Sequence, residues 1–178
     1  MRRLGLCTAI ALCVCSLSAT AGERFGEWSL EQTGDFVFAL SFKRSVSFDD
    51  RIATSELAFV CNEKEKYVAV LLIPFDGTLP NRQNSTPVLI QKTEEYSDRT
   101  DLMQRWESGP DYVYLESPDD REQLASYLKD REGEGVKSVH FYFPNDLDTG
   151  KATNHMVIDL LGFSMGLEVF KKKCEEAQ

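Results

Sequence analysis

The stretch "FVFALSF" sets Phe36, Phe38, Leu40 and Phe42 on alternate positions, against Val37, Ala39 and Ser41. A period of two is the repeat of an extended strand, whose successive side chains leave on opposite faces. Four bulky apolar side chains on one face commit that face to a core. The pattern recurs in "ELAFVC", where Leu57, Phe59 and Cys61 alternate, so Cys61 is aimed the same way as two core residues. "YVAVLLIPF", from Tyr67, is apolar on both faces and reads as a central strand, with Asn62 to Lys66 as the polar turn ahead of it. Further strands are expected at Val88 to Thr93, Leu102 to Glu107 and Tyr112 to Glu116. The last two are joined by Ser108-Gly109-Pro110-Asp111, which is turn chemistry. "DGTLPNRQNSTP", Asp76 to Pro87, has the composition of a long loop.

Two segments change period. In "SPDDREQLASYLKDRE" Ser117 suits an N-cap, Pro118 the first helical position, and Asp119 with Asp120 the positive helix end. Leu124, Tyr127 and Leu128 form its apolar stripe, predicting a helix over 118–131 that Gly133 stops. Strand pattern returns in "VKSVHFYF" and "HMVIDLL". The last element then spaces Phe163, Leu167, Phe170 and Cys174 by four, three and four, which places all four on one face of a helix over about 163–176. Lys171, Lys172 and Lys173 complement its negative end. Strands in series with two helices added late predict a mainly β fold, an antiparallel sandwich or open barrel carrying two α-helices.

The first residues, "MRRLGLCTAIALCVCSLSATAG", run from two arginines through an uncharged apolar stretch to Ala19-Thr20-Ala21. That order is a secretory leader, and the apolar part is too short to cross a bilayer. Cleavage after Ala21 is expected, leaving 22–178 as one β-rich domain outside the cytoplasm with no transmembrane segment. A lipoprotein signal fits poorly, because Cys15 follows Val14 and Cys7 follows Leu6, both too large. Three of the five cysteines leave with the leader, and Cys61 and Cys174 remain. In an oxidising compartment such a pair is read first as a disulfide; two separate buried thiols are the alternative.

Losing Arg2 and Arg3 takes the formal charge from −9 to −11. So acidic a surface repels phosphate backbones and anionic lipid heads, so that a basic protein partner, or solubility alone, fits better than nucleic acid or a membrane surface.

Residues that could carry chemistry are scattered. His140 and His155 lack a neighbouring nucleophile pattern. "GFSMG" matches Gly-x-Ser-x-Gly at Gly162, Ser164 and Gly166, yet no histidine follows Ser164, as a hydrolase elbow requires. "NDLDTG" opens like a calcium loop at Asp146, Asp148 and Gly150, but Met156 and Val157 stand where the distal glutamate belongs. No catalytic residue, metal site or cofactor is expected. Trp106, Tyr112 and Tyr114 cluster around one hairpin and are candidate partner-contact residues, since aromatics dominate binding hot spots, with core packing as the alternative.

The order of these features resembles a family of Gram-negative periplasmic proteins that includes the type VI secretion accessory proteins of the VasI/TagO kind. The matching pieces are Trp28 after the leader, Leu-x-Phe-x-Cys at Leu57 to Cys61, Trp-x-Ser at Trp106 to Ser108, and "IDLLGF" at Ile158 to Phe163 leading to Cys174. An arginine and aspartate typical of the family's strand before the tryptophan are absent from "VLIQKTEEY". The resemblance implies a sandwich with a strand-to-helix disulfide and no active site, a binding module that docks or regulates a cell-wall hydrolase or secretion component. An inhibitor or immunity protein that blocks a hydrolase or toxin is the other expectation.

Overall fold

The computed structural model describes residues 22–33, 37–48, 51–62, 65–72, 85–92, 101–108, 112–115, 117–144 and 152–177. Among the described residues ten strands are formed, β1 (Glu23–Phe25), β2 (Trp28–Thr33), β3 (Val37–Phe48), β4 (Arg51–Asn62), β5 (Glu65–Leu72), β6 (Ser85–Gln91), β7 (Leu102–Ser108), β8 (Tyr112–Leu115), β9 (Ser138–Pro144) and β10 (Ala152–Asp159). Helix α1 (Pro118–Gly133) separates β8 from β9, and α2 (Phe163–Glu176) follows β10. All ten strands join one antiparallel sheet in the order β1-β2-β3-β4-β5-β8-β7-β6-β9-β10. The fold is therefore mainly β, a single open sheet with two helices, within the sandwich or open-barrel class expected.

Register explains why one face is the core. Trp28 lies opposite Phe42, Phe42 opposite Leu57, Leu40 opposite Phe59 and Phe38 opposite Cys61, so the alternating residues of three strands fall on one surface. That surface continues through Ala69, Leu115, Trp106, Ile90, Phe141 and Ile158, all at 3% exposure or less. Both helices cover it. Phe163 of α2 packs between Trp28 (ring centroids 4.8 Å apart) and Phe59 (5.6 Å). Leu124, Ala125 and Leu128 of α1 are buried with them. The α1 segment carries the chain back across the sheet, which is how β9 comes to pair with β6 rather than with β8.

Helix ends follow local chemistry. The Ser117 hydroxyl accepts from the Asp120 N–H at 3.4 Å with Pro118 next, as expected of an N-cap. Gly133 is the last helical residue; the stop is Gly135, at φ +80°, where a left-handed residue lets Val136 N–H reach back to the Arg131 carbonyl (3.0 Å). That 6→1 bond closes a Schellman turn, and it is why the helix runs two residues past the expected Arg131. In α2, Phe163, Leu167, Phe170 and Cys174 are all buried, as their spacing requires. Gly166 lies between them, where a Cβ would stand 2.8 Å from Leu40 Cδ1.

Several boundaries differ from the sequence expectations. Strands β1 and β2 were not anticipated, and β3 and β4 run to twelve residues each. Ser85 to Pro87 belong to β6 rather than to a loop, because Thr86 and Pro87 pair with Trp106 and Arg105. The rest of the Asp76–Pro87 loop, and the segment holding Asp146, Asp148 and Gly150, lie outside the described residues.

Candidate functional site

Cys61, near the end of β4, and Cys174, in the last turns of α2, are joined as a disulfide with Cα atoms 6.1 Å apart. They are 2% and 6% exposed, so the bond is buried and fixes the terminal helix to the sheet. The link closes 113 residues of sequence. In the chain-entropy account a loop of that length restricts the unfolded chain by roughly 5 kcal/mol.

A second junction lies at the other end of α2. The β1–β2 turn packs against Leu160 to Gly162: Glu27 N–H donates to the Leu161 carbonyl (3.1 Å), and Trp28 Nε1 donates to the Asp159 carbonyl (2.9 Å). Only glycine fits here. A Cβ on Gly162 would stand 2.2 Å from the Phe25 carbonyl oxygen, and one on Gly26 would stand 2.3 Å from that of Leu161. The "GFSMG" segment is thus the start of a helix: Gly162 turns at φ +86°, and the N–H groups of Gly162 and Ser164 each donate to the Glu132 carboxylate at 2.7 Å. Glu132 supplies from α1 the acceptor that the first turn of α2 lacks, and places negative charge at the positive helix end.

The aromatics of the β7–β8 hairpin do not form one patch. Trp106 is fully buried on the core face, edge-on to Phe141 with centroids 6.4 Å apart, so it packs rather than contacts a partner. Its Nε1 has no acceptor among the described residues. Tyr114 lies on the opposite face, half-buried, opposite Glu107. Tyr112 stands in β8 opposite Leu72, and its side chain lies outside those described.

His140 of β9 is buried on the outer face and stacks on Tyr142 (6.2 Å, 18°). His155 occupies β10 opposite Tyr142. Among the described residues no three His, Cys, Asp or Glu side chains converge as a metal site would need.

The surface that sequence reasoning missed is the outward stripe of α1. Asp119, Glu122 and Asp130 of α1 and Glu134 at its C-cap are exposed, at spacings of three, eight and four, while Leu124, Ala125 and Leu128 face inward. Lys171 reaches Glu122 (2.8 Å) and Arg131 reaches Glu134 (2.8 Å), but acids outnumber bases along the stripe. Their places off the Leu124, Tyr127 and Leu128 stripe were the available signal. Alongside it, Tyr127 donates to Asp101 Oδ2 (3.1 Å), while Arg131 lies over its ring (5.3 Å). Burial, then the Asp101 charge, pushes the Tyr127 phenol well above its usual range.

No protein-family model and no curated protein matches the sequence. A solved structure does match: invasion associated protein B from Bartonella henselae, at a TM-score of 0.56 and 18% identity, over 85% of this chain and 96% of that one. At this identity the likeness is one of fold.

Proposed function

We propose that this chain is a periplasmic, non-enzymatic binding module of the Gram-negative envelope, secreted through its cleavable leader and working by protein contact. The observation that carries the reading is the filled interior. The inner face of the sheet is packed by its own two helices, with Trp28, Phe59, Phe141, Phe163 and Phe170 all fully buried, so recognition falls to the exterior. The exterior offers the acidic stripe of α1, suited to a basic partner through complementary charge. A buried disulfide fits folding in an oxidising compartment. No described helix is long and apolar enough to cross a membrane. The VasI/TagO resemblance supports a cell-wall hydrolase or secretion component as the partner that the chain docks or regulates.

Capture from periplasmic extract on the immobilised protein tests this. A basic partner should be retained, released by salt, and lost when Asp119 and Asp130 are both changed to lysine. Retention unaffected by those changes overturns the α1 surface. Recovery of a lone basic hydrolase that loses activity on binding favours the inhibitor or immunity reading instead.

A further inference from the structure

Beside the disulfide, a cavity of about 220 Å³ opens between β1–β2, β3 and the end of α2, its lining including Gly22, Glu23, Leu30, Glu31, Phe38 and Lys173. Its place in the fold brings several observations together. Phe38 is the cross-strand neighbour of Cys61, and Lys173 precedes Cys174, so the cavity and the crosslink share one corner. Gly22 is the residue that follows the expected cleavage point, and β1 begins immediately after it. Its backbone approaches β2 closely: a Cβ there would stand 2.9 Å from the Leu30 carbonyl and 3.1 Å from Glu31 Cγ. The Gly22 nitrogen is bonded to the same Cα, which puts it within a few ångströms of the Glu31 side chain.

We propose that this cavity seats the processed amino terminus: cleavage behind Ala21 frees the Gly22 α-ammonium, which pairs there with the Glu31 carboxylate. The inference rests on the leader reading and adds a role for its product. The surrounding charges fit a new cation. Glu23 is engaged by Lys173 (2.9 Å), whose ammonium also lies 5.9 Å from the Phe38 ring centre. Glu31 Oε1 has Lys43 at 3.5 Å and accepts from the Ser29 hydroxyl at 3.5 Å, with the Lys43 and Glu31 side chains about half exposed, while its Oε2 has no partner among the described residues. Before cleavage the same position holds a neutral peptide group. Both covalent maturation steps, leader removal and crosslinking, thus meet in one corner of the molecule.

The test uses the secreted protein. Its intact mass fixes the first residue, and a start other than Gly22 overturns the leader reading on which the proposal rests. With Gly22 first, the α-amine is acylated competitively at neutral pH in the wild type, in Glu31→Gln, in a Glu175→Gln control and in a form carrying one extra alanine ahead of Gly22. An exposed ion pair corresponds to about a two-fold protection. The wild type and the control are expected to react about two-fold more slowly than the other two, all four keeping the same circular dichroism spectrum. Equal rates in wild type and Glu31→Gln overturn the ion pair itself.

Discussion

Glu132, at the end of α1, holds Ser164 at the start of α2 through a 2.7 Å hydrogen bond from the Ser164 N–H, and holds Gly162 through its other oxygen at the same distance. A carboxylate thirty-two positions away in the chain therefore does the work usually left to a local N-cap. Removing it leaves backbone donors without an acceptor in a part-buried place. Glu132→Ala is expected to cost about 1–2 kcal/mol by urea denaturation, with Glu132→Gln in between. The exposed Glu175→Ala should change stability by less than about 0.5 kcal/mol. A loss at Glu132 no larger than at Glu175 would remove the capping account.

Gly162 and Gly135 share a positive φ, at 86° and 80°, but not an environment. A Cβ at Gly135 meets nothing within 4 Å, whereas at Gly162 it meets the Phe25 carbonyl carbon at 2.4 Å. Gly135→Ala should cost only the left-handed strain, about 1–2 kcal/mol. Gly162→Ala should cost more than about 3 kcal/mol, since two backbones must separate. Thermal melts of the two variants decide it; equal losses would mean that the Phe25–Gly162 contact is not held.

The two tryptophans should respond differently to phenylalanine. Trp28 Nε1 donates to the Asp159 carbonyl, while Trp106 Nε1 has no acceptor among the described residues. Both lose similar buried volume. The lost hydrogen bond should therefore make Trp28→Phe the worse by about 1 kcal/mol. Chemical denaturation of the pair measures the difference directly.

Tyr127 gives the protein a pH signature. Its phenol is raised from 10.0 by burial and by Asp101, so the folded state holds that proton more tightly than the unfolded state. The stabilisation is complete below the unfolded value and is lost as pH climbs from there through the folded one. An ultraviolet titration should show a late-ionising tyrosine, and Asp101→Asn should advance it. A titration that Asp101→Asn leaves unchanged would contradict the placement.

What could be read from residues alone was whatever local periodicity decides. Phe163, Leu167, Phe170 and Cys174 mark a helix and its buried face without help from the rest of the chain. Phe38, Leu40, Leu57 and Phe59 likewise mark strands and their inner side. Strand β1 was not legible, because three residues carry no period. Nor were the outer halves of β3 and β4, Lys43 to Phe48 and Arg51 to Ser55, where Lys43, Arg44 and Arg51 interrupt the apolar pattern and the pairing is seen only in the extended hairpin. Trp106 illustrates a different limit: an aromatic in a strand announces neither face until the register with Thr86 is known. Glu132 illustrates a third, since its bonds to Gly162 and Ser164 exist only once α1 and α2 have met. The acidic side of α1 is a fourth case: Asp119 and Asp120 are legible as a complement to the helix end, but that Glu122, Asp130 and Glu134 share an exposed side follows only once Leu124 and Leu128 are seen to be buried.

The intact mass of the protein recovered from the periplasm under non-reducing conditions tests most directly the claim of a secreted module clasped by Cys61 and Cys174. The expected species begins at Gly22, is lighter by two hydrogens than its reduced form, and takes up no alkylating reagent until reduced. A chain that keeps its leader, or one whose two cysteines alkylate in native, oxidised material, would contradict it.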